Sequence, residues 1–226
     1  MNSHTLDNPV WSALTSGNNN LALGNEAVKY FPGEVSSFAA IAAFDPANFQ
    51  RLYDIIPFKT PIAIFTINKA LIPDPWKIAG RIDCVQMLLH ETIKPVKKDA
   101  SIKTLDELHI PDMLALTKLT NPGPFLQRTI DFGHYEGIFD ERKLVAMAGQ
   151  RLHSGHFAEI SAVCTHPDYT GRGYASQLIL HQAQRIQSLE ETPFLHVKDD
   201  NVRAIKIYEA LGFSIRCPIV VYLLKK

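Results

Sequence analysis

Residues 158–175 read AEISAVCTHPDYTGRGYA, and the fold follows from how this stretch is parsed. It opens as an apolar run over 160–164, turns at His166-Pro167-Asp168, and enters Thr170-Gly171-Arg172-Gly173-Tyr174-Ala175. A helical pattern follows, with Ala175, Leu178, Ile179, Ala183, Ile186 and Leu189 at three- and four-residue spacings. The pattern predicts a strand that ends in a glycine-rich loop, which in turn opens a helix.

Such a junction suits an anion. The first amides of a helix lack intrahelical partners, and the helix dipole adds partial positive charge there. Gly171 and Gly173 let the backbone approach a ligand closely, and Arg172 supplies a full charge. A P-loop requires Lys-Ser/Thr after its last glycine, whereas Tyr174-Ala175 follows Gly173 here. A dinucleotide fingerprint requires Gly or Ala where this chain has Ser176.

The segment resembles the coenzyme A signature of the GCN5-related N-acetyltransferases, Q/R-x-x-G-x-G/A. Thr170 stands at the Q/R place, Gly173 at the Gly and Ala175 at the Gly/Ala. Downstream, the strand-like 194–197 is followed by Asn201, Ala204, Tyr208 and Leu211-Gly212-Phe213, similar to the family's N-x-x-A-x-x-x-Y-x-x-x-G-F. With the Cys164-Thr165-His166-Pro167 lead-in, the likeness is closest to the FR47-like branch and covers residues 101–226. It implies an α+β fold with a mixed, mostly antiparallel sheet flanked by helices.

Of the 226 residues 46% are hydrophobic, enough for a packed core without disulfides or metal. The 23 basic and 23 acidic side chains balance to zero, which speaks against nucleic acid or an anionic membrane as partner. Cys84, Cys164 and Cys217 are odd in number and widely spaced, which argues against a disulfide framework or zinc site and suits reduced thiols in a cytoplasm. No apolar run reaches membrane-spanning length, and the N-terminus lacks the pattern of a secretory signal.

Residues 1–95 read as a first α+β unit. It has a short helix with Pro9 in its first turn, strands at 27–31 and 38–44, a helix at 47–56, and strands at 61–67 and 84–90. The order echoes the C-terminal half without its phosphate loop, so the unit is expected to be either a degenerate copy of that fold or an unrelated cap. The polar stretch 93–103 is the best linker, with 96–103 as its core, and 104–226 is the acetyltransferase unit. That second unit is expected to run through a helix at 106–120 interrupted by Pro111 and a short helix at 125–132. Strands at 134–139, 143–151 and 157–165 follow, then the long helix, a strand at 194–197, a helix capped by Asn201 and ended by Gly212, and a strand at 218–224 with a further possible strand at 213–216.

Acyl transfer from a thioester to an amine requires a held cofactor, a deprotonated amine, donors for the oxyanion and a proton for the thiolate. The resemblance assigns pyrophosphate to the amides of Gly171, Arg172, Gly173, Tyr174 and Ala175, and the pantetheine arm to the strand around Val163 and Thr165. Asn201, Ala204 and Tyr208 line the same arm, and the Val163 amide serves the oxyanion. Glu159 matches the family's general base, provided burial raises its carboxyl from the ordinary range near about 4; the alternative is an ion pair with Arg151 across the hairpin. Glu136 is the reserve base, and Tyr208 is the expected acid. Cys164 as nucleophile, or His153 and His156 as metal ligands, have little support in their surroundings, and no metal is expected. The resemblance would set Phe125, Arg128 and Tyr135 along the acceptor wall; the alternative for each is core or surface packing. The reading is an acetyl-CoA-dependent N-acetyltransferase acting directly on a small primary amine such as an amino acid or polyamine. The alternatives are a non-catalytic acyl-CoA-binding module or a transferase with a protein acceptor.

Overall fold

The computed structural model describes residues 4–57, 59–93 and 102–226. In chain order the elements are α1 (Pro9–Leu14), β1 (Leu23–Gly24), β2 (Val28–Tyr30), β3 (Ala39–Ile41), α2 (Pro46–Ile55), β4 (Ile62–Thr66), β5 (Lys77–Leu88), β6 (Ile102–Thr104), α3 (Ile110–Thr120), β7 (Glu136–Asp140), β8 (Lys143–Ser154), β9 (Phe157–Thr165), α4 (Tyr174–Gln187), β10 (Thr192–Lys198), α5 (Val202–Ala210) and β11 (Ser214–Lys225). Eight strands form one sheet in the order β4-β11-β5-β10-β9-β8-β7-β6, and β1-β2-β3 form a small second sheet. Only β9 and β10 run parallel within the large sheet; its other pairs are antiparallel.

The helices cover opposite faces of that sheet. Ile179, Ala183 and Ile186 of α4 pack with Met87, Leu89, Ala158, Ile160, Leu195 and Phe213, and the partly buried Ala204, Ile205 and Tyr208 of α5 join them. Residues two apart on a strand share a face, so Leu88, Cys84 and Phe194 look the other way. They meet α1, α3 and the segment around Phe31, Val35 and Phe38.

Residues from both ends of the chain build the large sheet. Strand β5 lies between β10 and β11, pairing Phe194↔Leu88 to Lys198↔Cys84 on one side and Ser214↔Leu88 to Lys225↔Lys77 on the other. Sequence reading shortened β5 to 84–90, because its first half is largely exposed and carries Lys77, Arg81 and Asp83. Residues 125–132 form no α-helix but a single 3-10 turn at Thr129–Phe132. Pro111 sits in the first turn of α3, where its missing amide is no loss, so it starts the helix instead of interrupting it. The two expected C-terminal strands are one strand with a bulge between Ile215 and Cys217. Of the expected linker, 94–101 lies outside the described residues, and 102–104 is the edge strand β6.

Candidate active site

The pleat of β9 breaks where the site begins. Between Met147↔Cys164 and Gly149↔Ser161, two residues of β9 face one of β8, and Ala162 adopts φ 53°. This β-bulge was invisible in the sequence, since alanine is not a residue that announces a left-handed position. The parallel ladder to β10 ends at Phe194↔Glu159, so from Ile160 onward β9 and β10 have no mutual pairing. The His166 amide donates to the Val145 carbonyl at 2.7 Å. Amides alternate edges along a strand, so those of Thr165 and Val163 point to the opened side. The Thr165 hydroxyl oxygen is buried without a hydrogen-bond partner beside that gap.

A cleft of about 840 Å³ runs through the gap. One end is the glycine loop. Gly171 and Gly173 have φ 81° and 80°, which a side chain rarely adopts, and a Cβ on either would meet no atom within 4 Å. Gly173 is also the N-cap of α4 and offers no side-chain cap. The Gln177 amide is the first to find an intrahelical partner, the Gly173 carbonyl at 3.0 Å. The amides of Tyr174, Ala175 and Ser176 are left for an anion. The Thr170 hydroxyl turns back to the Pro167 carbonyl at 3.0 Å, so its place in the loop contributes main chain. Arg172 does not line the cleft; its guanidinium lies 4.6 Å from the centre of the Tyr169 ring, whose hydroxyl donates to Asp140 at 2.6 Å.

The middle of the cleft is walled by α5. Asn201 accepts from the Ala204 amide at 3.2 Å and so caps the helix while facing the cleft. At the other end Gly212 turns at φ 94°, and the Phe213 amide donates back to the Tyr208 carbonyl at 3.0 Å. This C-terminal turn sets the Phe213 ring 6.0 Å from Tyr208, bracing the phenol against the core. Burial pushes the Tyr208 hydroxyl up to about 12, so it keeps its proton throughout the neutral range. Sequence reasoning missed Lys198 and Arg203, the cations beside this wall.

Glu159 departs from the expected base. Burial alone would raise its carboxyl, but the Arg151 charge, with the hydrogen bonds from Arg151 and His196, outweighs burial and brings it down to about 2. Its two oxygens accept from Arg151 Nε and Nη2 at 2.9 and 2.6 Å, from the Leu152 amide at 3.3 Å and from His196 Nδ1 at 2.7 Å. It is fully buried and has no lone pair left to turn toward the cleft. The Arg151 pairing weighed from the sequence is therefore present, at a buried site and not at a strand edge.

The network continues inward. Gln86 donates to His196 Nε2 at 3.0 Å and to the Leu6 carbonyl at 3.1 Å, while its oxygen accepts from Arg216 at 2.9 Å. Arg216 also pairs with Asp7. Arg216 fixes the Gln86 amide, and that amide fixes the His196 tautomer, with the proton on Nδ1. Sequence reading did not single out this histidine or Gln86.

The remaining candidates disperse. Glu136 bonds His181 and Gln182, both at 2.8 Å, away from the cleft. Phe125 packs edge-on against the buried Tyr135 at 5.6 Å, and Arg128 is tied to Glu107 and Asp131 at the surface. The loop before them reaches the cleft instead, through Asn121, Pro122 and Pro124. Burial pushes the Cys164 thiol up to about 11, which leaves it a poor nucleophile. His153 is held by Glu191 at 2.7 Å, and the described residues contain no cluster of three or more His, Cys, Asp or Glu able to hold a metal. No described helix is long and apolar enough to cross a membrane.

Known proteins resemble this chain in sequence and fold. The FR47-like protein family model matches residues 135–219. A mycothiol acetyltransferase of Mycolicibacterium smegmatis is 28% identical over 108 residues, 41% of this chain and 37% of that protein, so little more than a third of the relative is spanned. The crystal structure of a protein assigned to the GNAT family of acetyltransferases from Novosphingobium aromaticivorans is 31% identical, covers 99% of both chains and superposes with a TM-score of 0.92. A GCN5-related N-acetyltransferase from Kribbella flavida shares the fold at 15% identity, with a TM-score of 0.61 over 94% of each chain. This chain thus belongs to the GCN5-related N-acetyltransferase family, whose members take their acyl group from acetyl-CoA.

Proposed function

We propose that this protein transfers an acetyl group from acetyl-CoA to a primary amine of a small molecule, within a ternary complex. The observation that carries the reading is the convergence of three groups on one cleft: the opened edge of β9, the uncapped start of α4 and the Tyr208 phenol. Acetyl-CoA supplies the activated acyl thioester. The amides of 171–175 hold its phosphates, those of Val163 and Thr165 its arm, and Val163 donates to the developing oxyanion. Tyr208 delivers a proton to the departing sulfur and recovers one from the attacking nitrogen, which sheds it as the amide forms. Glu159 is a positioning residue that holds Arg151 and His196 at the floor of the acceptor end. Residues 1–95 close that end with Phe38 and Phe65, which is the role we propose for the first unit, whatever its ancestry.

The test is thiol release from acetyl-CoA across a panel of amines, with Tyr208→Phe alongside. The variant should lower kcat by about 10²–10⁴ while acetyl-CoA affinity stays within a few-fold. Wild-type turnover in Tyr208→Phe removes the phenol from the mechanism. Acetyl-CoA binding without thiol release for any amine favours a binding module.

A further inference from the structure

The acceptor end of the cleft has a composition of its own. Residues directly opposite on neighbouring strands share a face, and here they form apolar rows across three strands. Phe65 of β4 faces Val221 of β11, which faces Ile82 of β5; one step along, Ala63 faces Leu223, which faces Gly80. Phe38 closes the rows from above, 4.9 Å from Phe65 between ring centres. All of these but Gly80 line the cleft, and so does Cys84.

No carboxylate lines the cleft among the described residues. From β8 comes Arg151, its guanidinium 4.9 Å from the centre of the Phe38 ring and its charge matched by Glu159 behind it. Strand β10 brings His196 and Lys198, and α5 brings Arg203 and the protonated Tyr208. The thiols of Cys84 and Cys164, from β5 and β9, are both pushed up to about 11 by burial and carry no charge. Asp83, next to Cys84, lies on the opposite face of β5, where Arg81 holds it at 2.6 Å. Helix α3, its loop and the 37–38 segment contribute Thr120, Asn121, Ser37 and apolar groups only.

We propose that the acceptor is a monoamine on an aromatic or branched aliphatic body, and that it binds as the free base because this end of the cleft rejects the ammonium form. The inference rests on the acetyltransferase reading and completes it. Glu159 is saturated and the His196 lone pair is engaged by Gln86, so neither takes the proton directly. The walls remove it instead: an apolar lining with no carboxylate facing it among the described residues disfavours a charged amine, and the proton leaves to water before the amine seats. A polyamine finds no carboxylate for its second ammonium.

Calorimetric titration of the CoA-bound protein tests this with three probes: 2-phenylethylamine, its uncharged isostere 2-phenylethanol, and spermidine. Phenylethylamine should bind about tenfold more tightly for each pH unit gained from 6 to 8, below the amine's own pKa, while phenylethanol affinity stays flat. Spermidine should bind at least about tenfold more weakly than phenylethylamine. The variant Ile82→Asp should flatten the phenylethylamine profile and admit spermidine. Overturning results are a pH-independent phenylethylamine affinity in the wild type, tighter spermidine binding, or no binding of either phenyl probe. The wild-type profile stands even where the variant fails to fold. Acetyl-CoA binding, titrated first, keeps the two readings apart: its absence overturns both, while its presence with a failed probe series overturns only this one.

Discussion

Glu159 was placed by sequence on the correct strand, with the correct alternative partner in Arg151, yet its chemistry came out with the opposite sign. Burial is legible in an apolar run, but the count of donors around a carboxylate depends on a hairpin register and a neighbouring strand that no local pattern encodes. The consequence is thermodynamic. A carboxyl whose folded value is depressed to about 2 adds stability above its unfolded value, near about 4.5, and loses it as pH falls through the folded value. Denaturant titrations between pH 5 and 2 should therefore show a stability loss that is smaller in Glu159→Gln. At neutral pH that variant should be about 3–5 kcal/mol less stable, because Arg151 is left buried and unmatched. A melting temperature unchanged from wild type would show that the pair is not a keystone of the floor. Ala162, at φ 53°, predicts the reverse effect: Ala162→Gly should keep or slightly raise stability, whereas Ala162→Val should lower it by more than about 1 kcal/mol, read by thermal melts.

Elements were more legible than residues. The glycine loop, α4 and the Asn201-to-Gly212 frame of α5 could be read because each is signalled by a residue whose backbone role is local. The bulge in β9 and the exposed half of β5 could not, since both exist only through pairing with distant strands. Gly173 separates the two uses of a glycine. Nothing crowds its missing side chain, so Gly173→Ala should cost only about 1–2 kcal/mol of strain. Acetyl-CoA affinity should fall by more than that strain accounts for, because the added methyl points into the space a phosphate would take. Equal losses of stability and affinity, measured by melting and calorimetry, would leave the loop as a turn and nothing more.

At the scale of the whole molecule, the division at 96–103 drawn from composition does not describe how the sheet is assembled. Strand β5 precedes that boundary and lies between two strands that follow it. Local composition reports where a chain is polar, not which strand it will lie beside. A chain starting at residue 102 would leave β10 and β11 without their shared neighbour, and we expect it to lack cooperative unfolding by circular dichroism. A sharp transition there would show that the second unit stands alone.

The same insertion governs the order of events during synthesis. Strand β5 leaves the ribosome more than a hundred residues before either flanking strand is complete. At roughly 5–20 residues per second, it waits several seconds with both edges open to other chains. Its early half carries Lys77, Arg81 and Asp83, charges that discourage edge-to-edge association during that interval. Strand β11 is also the one that seals β4 to β5, so a nascent chain cannot close its acceptor wall until residues 214–225 are free.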